Sequence, residues 1–213
     1  MSEIHPYPSN PDLIGGQPCL IFANTVGGSR PATEREYLHD YTDLLAWSRH
    51  AGLITASETQ RLLAEASRRP LEAARVFERA IWLRETIYRI FSAVAAGGAP
   101  KRADLEILND ALAEVLAKLQ VTPTETGFTW NWRSEPEALD SMLWPVVRSA
   151  GELLTSNELH RVRECAGDDC GWLFIDTSRN HSRRWCDMND CGNRAKARRH
   201  YARSRRARIT EKA

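Results

Sequence analysis

Apolar side chains recur at threes and fours over most of this chain, which is the period of helices buried on one face. Tyr37, Leu38, Tyr41, Leu44, Leu45 and Trp47 set the first such stripe, and Gly52 stands where a C-terminal cap belongs. A second helix is predicted from Thr55 or Ser57 to about Ser67, with Glu58 as its capping acid. The longest stripe runs over 71–96 through Val76, Ala80, Leu83, Ile87, Ile90, Phe91 and Val94, and stops at Gly97-Gly98 with Pro100. A fourth covers 103–119, with Leu105, Leu108, Leu112, Val115, Leu116 and Leu119 on its inner side. Leu139, Met142, Leu143, Val146 and Val147 predict a fifth over about 137–155, kinked or broken at Pro145.

Two segments depart from that period. Pro18-Cys19-Leu20-Ile21-Phe22-Ala23 is a short apolar run between Gly15-Gly16 and Gly27-Gly28, and it predicts a buried strand with Cys19 as a small core residue. Phe128 to Trp132 alternates aromatic and polar residues, as a half-buried strand does. Residues 1–12, with Pro6, Pro8 and Pro11, read as an irregular lead-in. The expected fold class is α+β: a mainly helical N-terminal domain with a few short strands over 1–159, then a smaller unit over 160–213.

Length and composition agree with one or two globular domains: 213 residues, 42% hydrophobic and 27% charged. No apolar run approaches the ~18 residues of a membrane span. No basic, apolar leader follows Met1, so a cytoplasmic chain with no membrane partner is expected. The net charge of +1 hides an asymmetry. Residues 1–159 hold 15 basic and 21 acidic side chains, a net of −6, whereas 160–213 hold 14 and 7, a net of +7. An acidic body with a polyanion-seeking tail is implied.

Four of the five cysteines fall in the basic part. Cys165 and Cys170, then Cys186 and Cys191, form two C-x4-C pairs separated by 15 residues. Without an export signal, this is the layout of a structural four-cysteine zinc site, each pair offering two thiolates from one turn. Gly171 and Gly192 directly follow the second and fourth cysteines, where a tight turn or a close backbone is needed. Trp172, Phe174 and Ile175 predict one strand and Arg183 to Cys186 a second, with 176–182 as the hairpin loop between them. Trp172, Phe174 and Trp185 would form a small core beside the Zn2+. His181 and His200 are read as a loop and a helix-surface residue, since four cysteines complete the ion's shell.

A helix is expected from Asn193 to about Arg208, rich in arginine, and therefore suited to bidentate phosphate and guanine contacts on double-stranded DNA. Arg198, Arg199, Arg203, Arg205 and Arg206 are expected on phosphates. Asn193, Arg194 and Lys196 are candidates for base edges, though Asn193 and Arg194 could equally cap the helix and brace the zinc knuckle. Arg183 and Arg184 are candidates for the same face; the opposing reading of all these cations is a solvated charged tail.

The segment Arg163–Tyr201 resembles the CGNR zinc-finger family, named for the tetrapeptide that stands here as Cys191-Gly192-Asn193-Arg194. Its C-x4-C pair, W-x-F-x-D strand (Trp172, Phe174, Asp176) and R-R-W-C run (Arg183 to Cys186) are all present. The preceding residues look like the ABATE domain that accompanies this finger: Leu20 to Thr25 match its opening strand ending in N-T, and Tyr41 to Trp47 its D-L-L-x-W helix. The resemblance implies a DNA-binding bacterial transcriptional regulator, stress-induced, with a small treble-clef- or ribbon-like finger and an N-terminal domain that senses something.

For that N-terminal domain two roles stay open. One is a sensor with an effector pocket near Asn24, Thr25 and the acids Glu34, Glu36, Asp40 and Asp43. The other is a homodimerisation body that sets two fingers on two half-sites. Trp47, Trp82, Trp130, Trp132 and Trp144 suit a pocket, a core or an interface. Residues 1–159 show no nucleophile–base motif, no cofactor loop and no paired metal spacing for His5, His39 and His50, so an enzyme is not expected. The alternative function is an RNA-binding or ribosome-associated zinc-ribbon protein, with Trp172, Trp185 and Tyr201 stacking on unpaired bases.

Overall fold

The computed structural model describes residues 13–30, 35–133 and 137–210, with side chains as far as Ser204. The lead-in over 1–12, His5 and Glu34 lie outside the described residues, as do the side chains of Arg205 and Arg206.

Helices dominate, and the first of them corrects the sequence reading. Pro18–Ala23 is a helix, α1, not a buried strand. Gln17 accepts the amides of Leu20 and Ile21 at 3.0 Å, and Pro18 occupies the first turn, where no N–H is required. Cys19, Leu20, Phe22 and Ala23 are all fully buried, so α1 is apolar on nearly every side and carries no period to betray it. It packs between α4 (Pro70–Ala95) and α6 (Trp144–Leu154).

Around this pin stand α2 (Tyr41–His50), α3 (Ala56–Arg68) and α5 (Arg102–Leu116). Asp40 caps α2 by accepting the Asp43 amide at 2.9 Å, and Gly52 turns the chain at φ +70. A complete capping box, Thr55 with Glu58, opens α3 as the sequence predicts. Residues 137–155 hold a short 3-10 turn (Ser141–Leu143) and then α6 rather than one kinked helix. Pro145 falls in the first turn of α6, where it breaks no hydrogen bond. Phe22 and Trp47 meet at 5.0 Å in the centre of the core.

Among the described residues the strands come in pairs. β1 (Val26–Gly27) pairs with β2 (Arg35–Glu36), and β3 (Leu119–Thr124) with β4 (Gly127–Trp132). The sequence places β4 correctly but overstates its burial: Trp132 is half-buried, while Phe128 and Trp130 are exposed. The third pair, β5 (Val162–Glu164) with β6 (Leu173–Ile175), corrects the finger. Arg183–Cys186 is not a strand. The Asp176 carboxylate accepts the amides of Ser178 and Arg183 and the Ser178 hydroxyl, folding 176–183 into a local loop. The backbone of 184–186 turns instead to the first cysteine pair: Ala166 N–H donates to the Arg184 carbonyl, and Cys186 N–H points at Cys165 Sγ, 3.3 Å away.

Among the described residues of the body, Arg84 and Asp104 are the buried charges, and Arg84 lies deeper. Arg84, 2% exposed, holds the Glu36 carboxylate through two bonds of 2.7 Å and also reaches Thr25 and Glu85. Burial alone would raise the Glu36 pKa, but the Arg84 guanidinium and the backbone amides of Leu38 and Tyr37 outweigh it and hold the carboxyl below its ordinary value. The stabilisation from this pair is therefore full above the ordinary carboxylate pKa of about 4.3 and is lost as pH falls through the lower folded value. Glu36→Gln should cost about 2 kcal/mol at neutral pH, less than the 3–5 of a fully buried pair because Glu36 is 37% exposed. Urea unfolding of variant and parent should converge as pH falls below about 4; a pH-independent difference would show that the pair carries no such linkage.

Candidate metal centre and nucleic-acid interface

The four clustered cysteines converge. Cys165 and Cys170 flank the turn between β5 and β6; Cys186 and Cys191 come from the segment that leads into helix α7 (Asn193–Thr210). All four are buried, and their sulfurs lie within 4.8 Å of one another. Cys170 to Cys186 and Cys186 to Cys191 are each 3.7 Å apart. A tetrahedral ion with bonds of about 2.3 Å has sulfur–sulfur edges of about 3.8 Å. The donor chemistry fits as well. Neighbouring sulfurs, Cys165 first, push the Cys170 thiol up to about 12 and the Cys186 thiol higher still. The same contacts pull the Cys165 thiol down, because Cys170 and Cys186 donate to its sulfur. The quartet thus holds one thiolate readily but all four only with a cation at its centre, and a divalent soft-ligand ion supplies that charge. The residues thus fit a closed, structural zinc site with no place for a reacting water.

Its surroundings are specific. Asp187 caps a single π-helical turn, Met188–Gly192, by accepting the Asn189 amide, and that turn delivers Cys191 to the head of α7. Arg194 donates to Cys191 Sγ at 3.0 Å and pairs with Asp190 at 3.0 Å. Asn193 donates to the Asn189 carbonyl. Arg183 lies 4.6 Å over Phe174 and donates to the carbonyls of Trp185 and Cys186. Asn193 and Arg194, for which base contacts and bracing are equal expectations from the sequence, and Arg183, a candidate for the nucleic-acid face, all bond to the knuckle. Phe174, with half-buried Trp172 and Trp185, packs on the cysteines as expected. Gly171 serves a close approach: a Cβ there would stand 3.2 Å from Tyr88 Oη.

The other cations lie outward. Lys196, Arg198, Arg199 and Arg203 are exposed on α7, and Arg184 is exposed beside it, 5.6 Å over Trp185. Arg198 also reaches Asp168 at 3.0 Å, which ties the helix to the first knuckle. The sequence of α7 contains eight basic residues and no acid.

Asn24 and Thr25 line none of the described cavities. Asn24, 4% exposed, donates to the carbonyls of Ile14 and Leu173 at 2.6 and 2.8 Å and accepts the Leu173 amide at 2.8 Å. Its carboxamide thus pairs with β6 as a neighbouring strand would. Thr25 donates to the Phe22 carbonyl and accepts from Arg84. Asn24 thus holds the body on the finger, which the N-T dipeptide alone did not reveal, while Thr25 bonds within the body. Of the acids expected near them, Glu36 is taken by Arg84, and Asp40 edges a groove of about 760 Å3 between α2, α3 and α4. Trp47 and Trp144 are core, whereas Trp82 is 53% exposed.

The ABATE family, described as "Putative stress-induced transcription regulator", matches residues 16–157. The CGNR zinc finger matches residues 161–204. The chain belongs to the ABATE family and ends in a CGNR zinc finger. No curated protein matches it by sequence. In this CGNR finger, a knuckle at the β5–β6 turn and a second cysteine pair at a helix start follow the treble-clef order. None of the described helices is long and apolar enough to cross a membrane.

Arg194→Met should weaken zinc affinity about 10- to 100-fold, read by competition with a chromophoric chelator, because the guanidinium supports a ligand sulfur; unchanged affinity would remove Arg194 from that role. Asn24→Ala leaves the buried Leu173 amide and carbonyl unpaired and should cost about 2–4 kcal/mol in urea unfolding with one zinc still bound. A loss near zero would mean that Asn24 is not the clamp the geometry makes it.

Proposed function

We propose that this chain is a DNA-binding transcription regulator, non-enzymatic and cytoplasmic, in which the CGNR finger presents α7 to the duplex and the ABATE body pairs two copies. The observation that carries the reading is α7 itself. Arg194 and Arg198 are offset by Asp190 and Asp168, but Arg199 and Arg203 stand one turn apart on a helix with no acid of its own, so its outer part repels itself in water. It is polar on every face and has no core to bury. A polyanion offsets that repulsion, and a rigid anchor at the zinc fixes the angle of approach. Lys196, Arg198, Arg199 and Arg203, with Arg184 alongside, are the proposed phosphate contacts, and Arg205 and Arg206 extend the same run.

Asn193, Arg194 and Arg183 act indirectly, by holding the helix on the metal. The RNA reading gains little support: Trp172 Nε1 donates to the Val26 carbonyl at 2.8 Å, and of the three finger rings named for stacking Tyr201 alone, 74% exposed, is open. A small effector in the body would belong in one of the grooves beside α4, such as that between α2, α3 and α4.

Duplex DNA affinity of the zinc-loaded protein should fall steeply with salt. Each of Lys196→Ala, Arg199→Ala and Arg203→Ala should reduce the log–log slope by up to about 0.9, the value for one lost phosphate contact. A flat salt dependence would overturn the reading, and stronger binding to structured RNA of equal length would move it to the RNA class.

A further inference from the structure

The β3–β4 hairpin carries one face that the described chain covers only at its base. Its register sets Leu119 opposite Trp132, Val121 opposite Trp130 and Pro123 opposite Phe128. Alternation puts these six side chains on one side, and every one is apolar. The opposite side holds Gln120, Thr122, Thr129 and Asn131. Trp132 is anchored edge-on to Trp144 at 5.7 Å, which fixes the hairpin on the body. Beyond that anchor, Val121, Phe128 and Trp130 are 55%, 78% and 57% exposed.

A two-stranded ribbon with a bare apolar face is marginal in water and needs a cover. We propose that the cover is the same face of a second copy, so that two hairpins stack face to face across a twofold axis. This deepens the reading of the ABATE body as the pairing element and rests on it.

Charge selects the occupant. The body carries a net charge of −6, so two bodies repel wherever their acids meet. Neither strand of the hairpin holds a charged residue, which makes this face a neutral place for two such bodies to touch. The charges nearest the strands, Lys118 and Arg133 at the base and Glu125 in the turn, lie outside the apolar rows, so the rows themselves offer a nucleic acid or a charged partner little to pair with. Flat rings and a valine repeated about a twofold are self-complementary.

Area sets the strength. The three side chains leave on the order of 350 Å2 bare in each copy. Leu116, 47% exposed three residues before β3, adds to it. The total from both copies lies at the lower end of specific interfaces, below about 1,200 Å2. The dimer is therefore weak and dissociates on dilution.

Sedimentation equilibrium of the zinc-loaded full chain over a range of concentrations tests this, with Phe128→Lys/Trp130→Lys against Thr129→Lys on the polar face. The expected result is a reversible dimer whose dissociation constant rises at least tenfold in the double variant and stays within twofold in Thr129→Lys. Zinc content and the thermal midpoint confirm that each variant is folded; all three positions are exposed, so folding is expected to survive. A dimer unmoved by the double variant overturns the hairpin interface while leaving dimerisation standing. A monomer at the highest soluble concentration overturns both.

Discussion

The structure depends on one three-residue strand that serves two cores. Leu173 and Ile175 of β6 point into the helical body, and Phe174 between them packs on the zinc cysteines. That division follows from the period of two along any strand. It also means that body and finger are not separate beads on a linker. Asn24 pairs with Leu173 from the end of α1, Gly171 N–H reaches the Gly28 carbonyl at 3.1 Å, and Trp172 reaches Val26. Each of these bonds joins residues more than 140 positions apart in the chain, so the finger's place on the body is a tertiary fact.

Metal and helix answer each other electrostatically. A zinc ion with four thiolates carries a net charge of about −2. Arg194 sets a guanidinium against one of those sulfurs, and the sulfur in turn raises the arginine's pKa and keeps it charged. Farther along, Arg198 has Asp168 and Arg199 lies 5.9 Å over Trp185, whereas Lys196 and Arg203 are exposed. One arginine-rich sequence is thus divided by position: cations near Cys191 bond to the finger, and cations farther along are the ones the proposed function assigns to phosphates.

Much of this was legible in the sequence because it follows from local rules. Spacing alone gives the zinc quartet, Thr55 and Glu58 give the start of α3, and periodicity gives α4. What failed to show was decided by distant contacts. α1 reads as a strand because it is buried all round and has no polar face. The Arg183–Cys186 strand fails because the Asp176 carboxylate captures amides that a ladder would have used. Asn24 looks like a pocket residue because a polar side chain after an apolar run gives no hint of a partner strand that arrives 149 residues later. The alternation in β4 is plain, but whether its apolar side faces a core or solvent depends on what packs there.

The same contacts limit how the body can act on the finger. Glu164, adjacent to Cys165, accepts hydrogen bonds from Tyr88 at 3.1 Å and Ser92 at 2.6 Å, both on α4. α4 also carries Arg84 and lies against α1, whose end supplies Asn24. Packed interiors transmit small displacements because they have little room to absorb them. A ligand or a second copy that repositioned α4 would therefore act directly on the residue beside a zinc ligand, and through the ion on the helix head at Cys191. Such coupling needs no hinge: the body and the metal centre share α4's hydrogen bonds and β6's side chains, and α7 is set by whatever sets them.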